Sequence, residues 1–283
     1  MKRMTIEEIH NVNLRILEHI HLYCQERGFQ YCIGWGTLIG AVRHGGFIPW
    51  DDDSDIMMPR PDYDRFIREY EDSSKYRLYA PQRHNSGLAY ARLCEMEDTY
   101  FGQVNPWTKE SPGVGVDIFP IDSLSDDHDQ FINDTEKLAQ MRNDTFRLRS
   151  QTKFFKCEMS RKLSIIRNLK NLIHNILSIP SGLSAWRRLY RLLDSMDKLM
   201  RKYPYGSTKH LGWSASIDGR GAEWANAEWL TEYQLIDFCG IMLYAPKEFD
   251  KWLHNYYGDY MTPPPVRERN GHVALQTMYW RDK

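Results

Sequence analysis

With 283 residues and a formal net charge of −1, the chain is long enough for one or two full domains, and its charge balance argues against a nucleic-acid partner. Apolar residues at 42% and charged residues at 27% describe an ordinary globular protein, and no stretch approaches the roughly 20 apolar residues of a membrane span. The five cysteines (Cys24, Cys32, Cys94, Cys157, Cys239) are scattered, odd in number and without a CxxC pair, which excludes a disulfide framework and a zinc ribbon.

The N-terminus reads Met-Lys-Arg-Met-Thr-Ile-Glu-Glu, with acidic residues where a signal peptide needs an apolar run, so the expected location is cytoplasmic. Thr5-Ile6-Glu7-Glu8 is a capping box, in which hydroxyl and carboxylate satisfy early backbone donors. Ile6, Ile9, Asn13, Ile16, Leu17, Ile20 and Cys24 then recur at helical spacing with one polar break, predicting a helix over 5–27 closed by Gly28. Residues 29–33 read as a short strand entering a glycine turn, and 37–44 as a short helix whose N-terminal amides make a phosphate seat. Gly45-Gly46 ends that helix.

Asp51, Asp52, Asp53 and Asp55 repel one another, and a fold keeps such a group only beside a cation, usually a metal. A strand over 54–58 puts Asp53 and Asp55 on one face, because side chains at i and i+2 point the same way. Two carboxylates beside a phosphate seat are what Mg²⁺ needs, with phosphate oxygens completing its octahedron. Pro61 opens a helix to about Tyr70, and 77–80 and 88–95 look like strands, the second carrying Tyr90 and Arg92. Residues 114–122 form an apolar strand with Asp117 inside it, costly to bury unless paired or metal-bound. Asp117 is therefore either a satisfied core carboxylate or a third metal ligand or general base, and its company with Asp53 and Asp55 favours the second.

Between residues 142 and 202, fifteen Lys/Arg stand against four Asp/Glu. Residues 163–179 read as a basic amphipathic helix, with Arg167, Lys170 and His174 on its polar face. It suits packing on the rest of the chain, an anionic membrane surface or a protein partner. Pro180-Ser181-Gly182 should break it before a second helix over 186–203. Residues 213–229 look irregular, 233–244 a hairpin turning near 237–240, and 246–257 a helix closed by Gly258. Thr262-Pro263-Pro264-Pro265 is a stiff extended segment leading to Arg267, Arg269 and His272, which could return to the site as phosphate ligands.

Gly36-Thr37-Leu38-Ile39-Gly40-Ala41-Val42-Arg43-His44, then Gly46-Phe47-Ile48-Pro49-Trp50-Asp51-Asp52-Asp53 with Asp55, and Val114-Gly115-Val116-Asp117-Ile118-Phe119-Pro120 together resemble the LicD family. Tyr257-Gly258-Asp259-Tyr260-Met261-Thr262-Pro263-Pro264 is similar to the family's C-terminal signature. The resemblance spans most of the chain and is weakest over about 125–230. It implies an α/β (α+β) fold: a nucleotidyltransferase-like mixed sheet flanked by helices, with a helical basic insertion. Its expected divisions are a catalytic core (1–125), the basic helical segment (126–205) and C-terminal strands and helix completing the core (206–283).

The activity implied is transfer of phosphocholine from CDP-choline to a sugar hydroxyl of a cell-surface glycan or glycolipid (teichoic acid, lipopolysaccharide or polysaccharide precursor), with Mg²⁺ or Mn²⁺, releasing CMP. Mapped onto this chain, the family pattern implies Asp53, Asp55 and Asp117 as catalytic and metal-binding carboxylates. Gly36, Thr37, Arg43, His44 and Arg92 are implied around the phosphates, with Arg267 a further candidate. Ser54 between the carboxylates and Trp35 before Gly36 depart from the usual residues. A choline headgroup calls for an aromatic cage, with Trp35, Trp50, Tyr90, Trp213 and Trp224 available. Rival readings are a phosphoethanolamine or aminoethylphosphonate substituent from a CDP- or CMP-linked donor, true nucleotidyl transfer, and a non-catalytic membrane-apposed scaffold. The basic helix extends the expected location to the inner face of the cell membrane.

Overall fold

A computed structural model of the chain describes residues 2–101, 112–152, 165–215, 224–269 and 278–281, with the side chains of 150–152 and 165–181 left aside. The elements in order are α1 (Ile6–Arg27), β1 (Cys32–Ile33), α2 (Trp35–His44), β2 (Asp55–Pro59), α3 (Arg60–Glu69), β3 (Tyr76–Tyr79), β4 (Ala91–Glu95), β5 (Thr99–Phe101), β6 (Gly115–Leu124), α4 (His128–Thr152), α5 (Ile165–Met200), β7 (His210–Gly212), β8 (Ala225–Asn226), β9 (Tyr233–Phe238), β10 (Ile241–Pro246), α6 (Phe249–Tyr257) and β11 (Met278–Trp280). A mixed sheet of seven strands runs β1-β2-β6-β4-β3, with β7 added to β6 and β8 to β7; the six helices flank it, which is the α+β arrangement expected.

β6 is the spine of this sheet. It pairs with β2 in parallel (Asp55 opposite Asp117 through Pro59 opposite Ile121) and with β4 antiparallel (Arg92 opposite Asp117). Residues 116–124 are all buried, as a strand covered on both faces requires. Pro120 sits in this spine without breaking it. The Asp117 amide donates to Ser54 O, so the amides of 117, 119 and 121 point to β2 and those of 118 and 120 to the other edge. On that edge β4 ends opposite Ile118, so the missing Pro120 donor falls beyond its last pair.

α1 is the helix its spacing predicts. Thr5 caps it, the Glu8 carboxylate returns to the Thr5 amide at 2.8 Å, and Gly28 closes it in the left-handed region. Its buried face also includes Val12 and His21, and the amide of the polar break, Asn13, is fully buried without a hydrogen bond among the described residues. The hairpin of β9 and β10 turns at Cys239-Gly240 as expected.

Several boundaries move. β1 is two residues long, β4 starts at Ala91, and α6 starts at Phe249 because Pro246 is still paired in β10. Residues 225–229, expected to be irregular, form β8 and a 3₁₀ turn because β7 offers β8 a partner edge. Pro180-Ser181-Gly182 does not break the helix: α5 runs 36 residues straight through it. An internal proline costs a helix about 3 kcal/mol, and α4, which packs along α5, offers the contacts that offset it.

α5 is also tied to the sheet by charge. Buried Arg60 donates to both oxygens of Asp122 on β6 (2.6 and 2.5 Å) and to Asp197 on α5 at 3.1 Å. The Arg167, Lys170 and His174 side chains and His272 lie outside what is described. Among the described residues, no helix is long and apolar enough to cross a membrane.

Candidate active site

Three strands carry one row of charge. Asp55 on β2 stands opposite Asp117 on β6, and Asp117 stands opposite Arg92 on β4. In-register residues point to the same face, so the fold brings Asp55, Asp117 and Arg92 together from three distant parts of the chain. Arg92 grips Asp117 with both arms, Nε to Oδ1 and Nη2 to Oδ2, the latter at 2.7 Å. Burial works against the Arg92 charge, but Asp117 more than offsets it and holds the guanidinium well above its ordinary pKa. Asp117 is 5% exposed, so its ion pair answers the burial cost noted from sequence.

Asp55 is in the opposite situation. Burial first, and then the charges of Asp53, Asp117 and Asp51, push its carboxyl well above the usual range. Asp53 does not belong to the strand. β2 begins at Asp55, where Gly34 N–H reaches Asp55 O at 3.1 Å, and Asp53 lies in the irregular approach. Its proximity to Asp55 comes from the loop, which also brings it beside Asp51. Burial also raises the Asp51 carboxyl. A Cβ built on Gly36 would stand 2.7 Å from Asp51 Oδ2, so glycine at 36 gives this carboxylate its place beside the N-terminus of α2.

α2 serves as a connector between the acidic cluster and the C-terminal segment. At its start Trp35 adopts φ 42°, in the left-handed region, which tightens the entry from Gly34. Thr37 Oγ1 accepts the Asp55 amide at 2.8 Å, so the hydroxyl expected beside a phosphate also pins α2 to β2. Arg43 and His44 stand at the other end of the helix, away from Gly36 and Thr37. Arg43 Nε donates to His44 Nε2 at 3.0 Å and Nη1 donates to Tyr260 O at 2.5 Å, joining α2 to the C-terminal signature. Arg269 lies over the Trp50 ring at 4.7 Å and its charge reaches Arg43 and His44. Arg267 is paired with Glu268 at the surface, so Arg269 is the tail arginine that returns.

The aromatic candidates separate as well. Trp35, Tyr90 and Trp213 converge with Phe119, which spacing did not single out: Tyr90–Phe119 4.4 Å, Phe119–Trp213 4.5 Å, Trp35–Phe119 4.9 Å between centroids. Burial, the larger cause, and the Asp117 charge push the Tyr90 hydroxyl above its ordinary value. Trp50 belongs to the Arg269 group, and Trp224 stacks on His210 at 3.8 Å.

As a metal site, the donor chemistry fits a hard divalent cation. Asp53, Asp55 and Asp117 offer carboxylate oxygens, and the crowding that raises Asp55 is what a cation relieves. Among the described residues no three His, Cys, Asp or Glu already surround one point, and Arg92 holds both oxygens of Asp117. Arg149 of α4, unmarked among fifteen neighbouring cations in sequence, also reaches this region through Tyr90 and Arg92.

Comparison with known proteins agrees with this architecture. Residues 28–160 match the family model described as LicD/FKTN/FKRP, nucleotidyltransferase domain, a span that holds α2, β2, β4 and β6. The chain is 26% identical over 279 residues to the lipopolysaccharide cholinephosphotransferase LicD of Haemophilus influenzae, covering 96% of this chain and 97% of that protein. An uncharacterized protein of Rickettsia typhi is 40% identical over 63 residues, 22% of this chain and 20% of its own. A matched nucleotidyltransferase domain, a relative aligned end to end, and the Asp55–Asp117 pair on its sheet lead to one conclusion: the chain is similar to the LicD family, through the domain at residues 28–160 and along its length.

Proposed function

We propose that this chain is a metal-dependent phosphotransferase that moves phosphocholine from CDP-choline to a sugar hydroxyl of lipopolysaccharide or a related glycan, releasing CMP. The observation that carries the reading is the carboxylate cluster, in which Asp55 faces Asp117 across parallel strands while Asp51 and Asp53 crowd the N-terminus of α2. The full-length similarity to a lipopolysaccharide cholinephosphotransferase supports the substrate class.

Asp53 and Asp55 would hold Mg²⁺, with Asp117 the further carboxylate available to it. When bound, the cation supplies charge neutralisation for the donor diphosphate. The α2 amides near Gly36 and Thr37 seat a phosphate, and Arg92 fixes Asp117 in orientation. The acceptor oxygen bonds to the choline-bearing phosphorus as the bond to the CMP oxygen breaks, and the electron pair leaves with CMP. The acceptor proton passes to Asp117. Phosphoryl transfer is mostly positioning and charge stabilisation, so little is asked of the base. The Tyr90–Phe119–Trp213 rings form the wall for the headgroup.

The test is CMP release from CDP-choline with a lipopolysaccharide acceptor, beside CDP-ethanolamine and with Mg²⁺ removed by chelation. Release of pyrophosphate instead of CMP, or metal-independent turnover, would refute the reading.

A further inference from the structure

Arg149 enters the site from α4, the part of the chain where sequence is least informative. Its stem crosses Gly87: a Cβ built there would stand 3.0 Å from both Cγ and Cδ of Arg149 and 3.2 Å from Nε. Glycine at 87 therefore clears a path for the side chain. The half-buried guanidinium interacts with Tyr90 and Arg92. Gly87 lies just before β4, the strand that sets Arg92 opposite Asp117, so the Arg149 stem passes at the β4 end of the charge row. Burial first, and then the Arg92 charge, hold the Arg149 guanidinium below its ordinary pKa. Arg92 already spends two donors on Asp117. A second arginine brought beside the first, at electrostatic cost and through a gap left by a glycine, is a preorganised anion contact.

We propose that Arg149 binds the diphosphate of the CDP-linked donor, so that the helical segment supplies a residue of the donor site. This rests on the reading that the site takes such a donor. Its geometry differs from that of the α2 amides. Arg149 approaches from the β4 side, across the carboxylate row from the Gly36–Thr37 seat, so donor phosphate would be gripped from two sides. A phosphate on the acceptor glycan has the same chemistry, and the kinetic arms below separate the two sources.

The experiment titrates CDP with Mg²⁺ into the full chain and into Arg149→Met and Arg149→Lys, with melting temperatures as a folding control. Loss of charge-assisted phosphate contacts should weaken CDP binding about tenfold to a hundredfold in Arg149→Met, with partial recovery in Arg149→Lys. In turnover, the donor KM should rise and the acceptor KM stay unchanged. Gly87→Val, which pushes the stem aside, should shift CDP binding in the same direction. Unchanged CDP affinity in Arg149→Met, a rise confined to the acceptor KM, or no CDP binding by the wild type would each overturn the proposal. If the wild type binds CDP through Arg149 but releases no CMP from CDP-choline, the transfer reading fails and the Arg149 assignment stands.

Discussion

Asp55 and Asp117 face each other across the parallel strands β2 and β6, and among the described residues only Asp117 forms an ion pair. Arg92 grips Asp117, while at Asp55 burial and the charges of Asp53, Asp117 and Asp51 outweigh the Arg92 charge. An unbalanced charge of this kind is a cost to folding that function has to explain.

The first prediction follows from that imbalance. Asp55→Asn should lower turnover by on the order of 10³, about 4 kcal/mol of transition-state stabilisation. The same change relieves repulsion in the metal-free protein, so its melting temperature should rise; about 1 kcal/mol corresponds to about 2–4 °C in a chain of this class. A CMP-release assay with Mg²⁺ checks the first half, and scanning calorimetry in chelator the second. A variant that is inactive and also less stable would point to a structural role for Asp55.

Arg60 gives a prediction on stability alone. It is 5% exposed and holds Asp122 and Asp197 together, linking α3, β6 and α5. Arg60→Met leaves Asp122 buried without its partner, a loss of about 3–5 kcal/mol. Urea denaturation measures it. Pairing the change with Asp122→Asn should recover part of the loss, since the orphaned charge is then gone.

The glycines of the recognition stretch are placed by backbone contacts. A Cβ on Gly46 would meet Cys239 Sγ at 2.2 Å, at the tip of the β9–β10 hairpin, where Cys239 N–H also donates to Gly45 O at 2.8 Å. Gly46→Ala should destabilise the fold, and Cys239→Gly should rescue it, since it removes the sulfur and relieves the Cys239 φ of 54°. A thermal-shift comparison of the two single variants and the double suffices. Gly40→Ala should have no such rescue, because its Cβ would lie 2.3 Å from a backbone oxygen, that of Gly46.

Three histidines of α1 carry the pH prediction. Burial first of all depresses His10, His19 and His21 below the ordinary histidine value. A lowered folded value means the unfolded chain takes the proton first, so their contribution holds above about pH 6.5 and is lost as pH falls below it. His19 stacks on Tyr76 at 4.3 Å. His19→Phe should therefore flatten the fall in unfolding free energy between pH 7.5 and 5.5. A difference between variant and wild type that is the same at both values would remove His19 from the effect.

Local chemistry was legible in the sequence alone. The capping box set the start of α1, Gly28 its end, and Gly45 the end of α2. The apolar run around Asp117 announced β6. Each of these depends on residues a few positions apart, where side-chain period and backbone preference decide the outcome. Tertiary structure decided everything that depends on register and on distant partners. It put Asp53 outside β2, because strand pairing starts only at Asp55. It bound Arg92 to Asp117, carried Arg43 to the far end of α2, and kept α5 helical through Pro180. It also set the Arg149 side chain, one of fifteen cations between residues 142 and 202, against Gly87, which only packing shows.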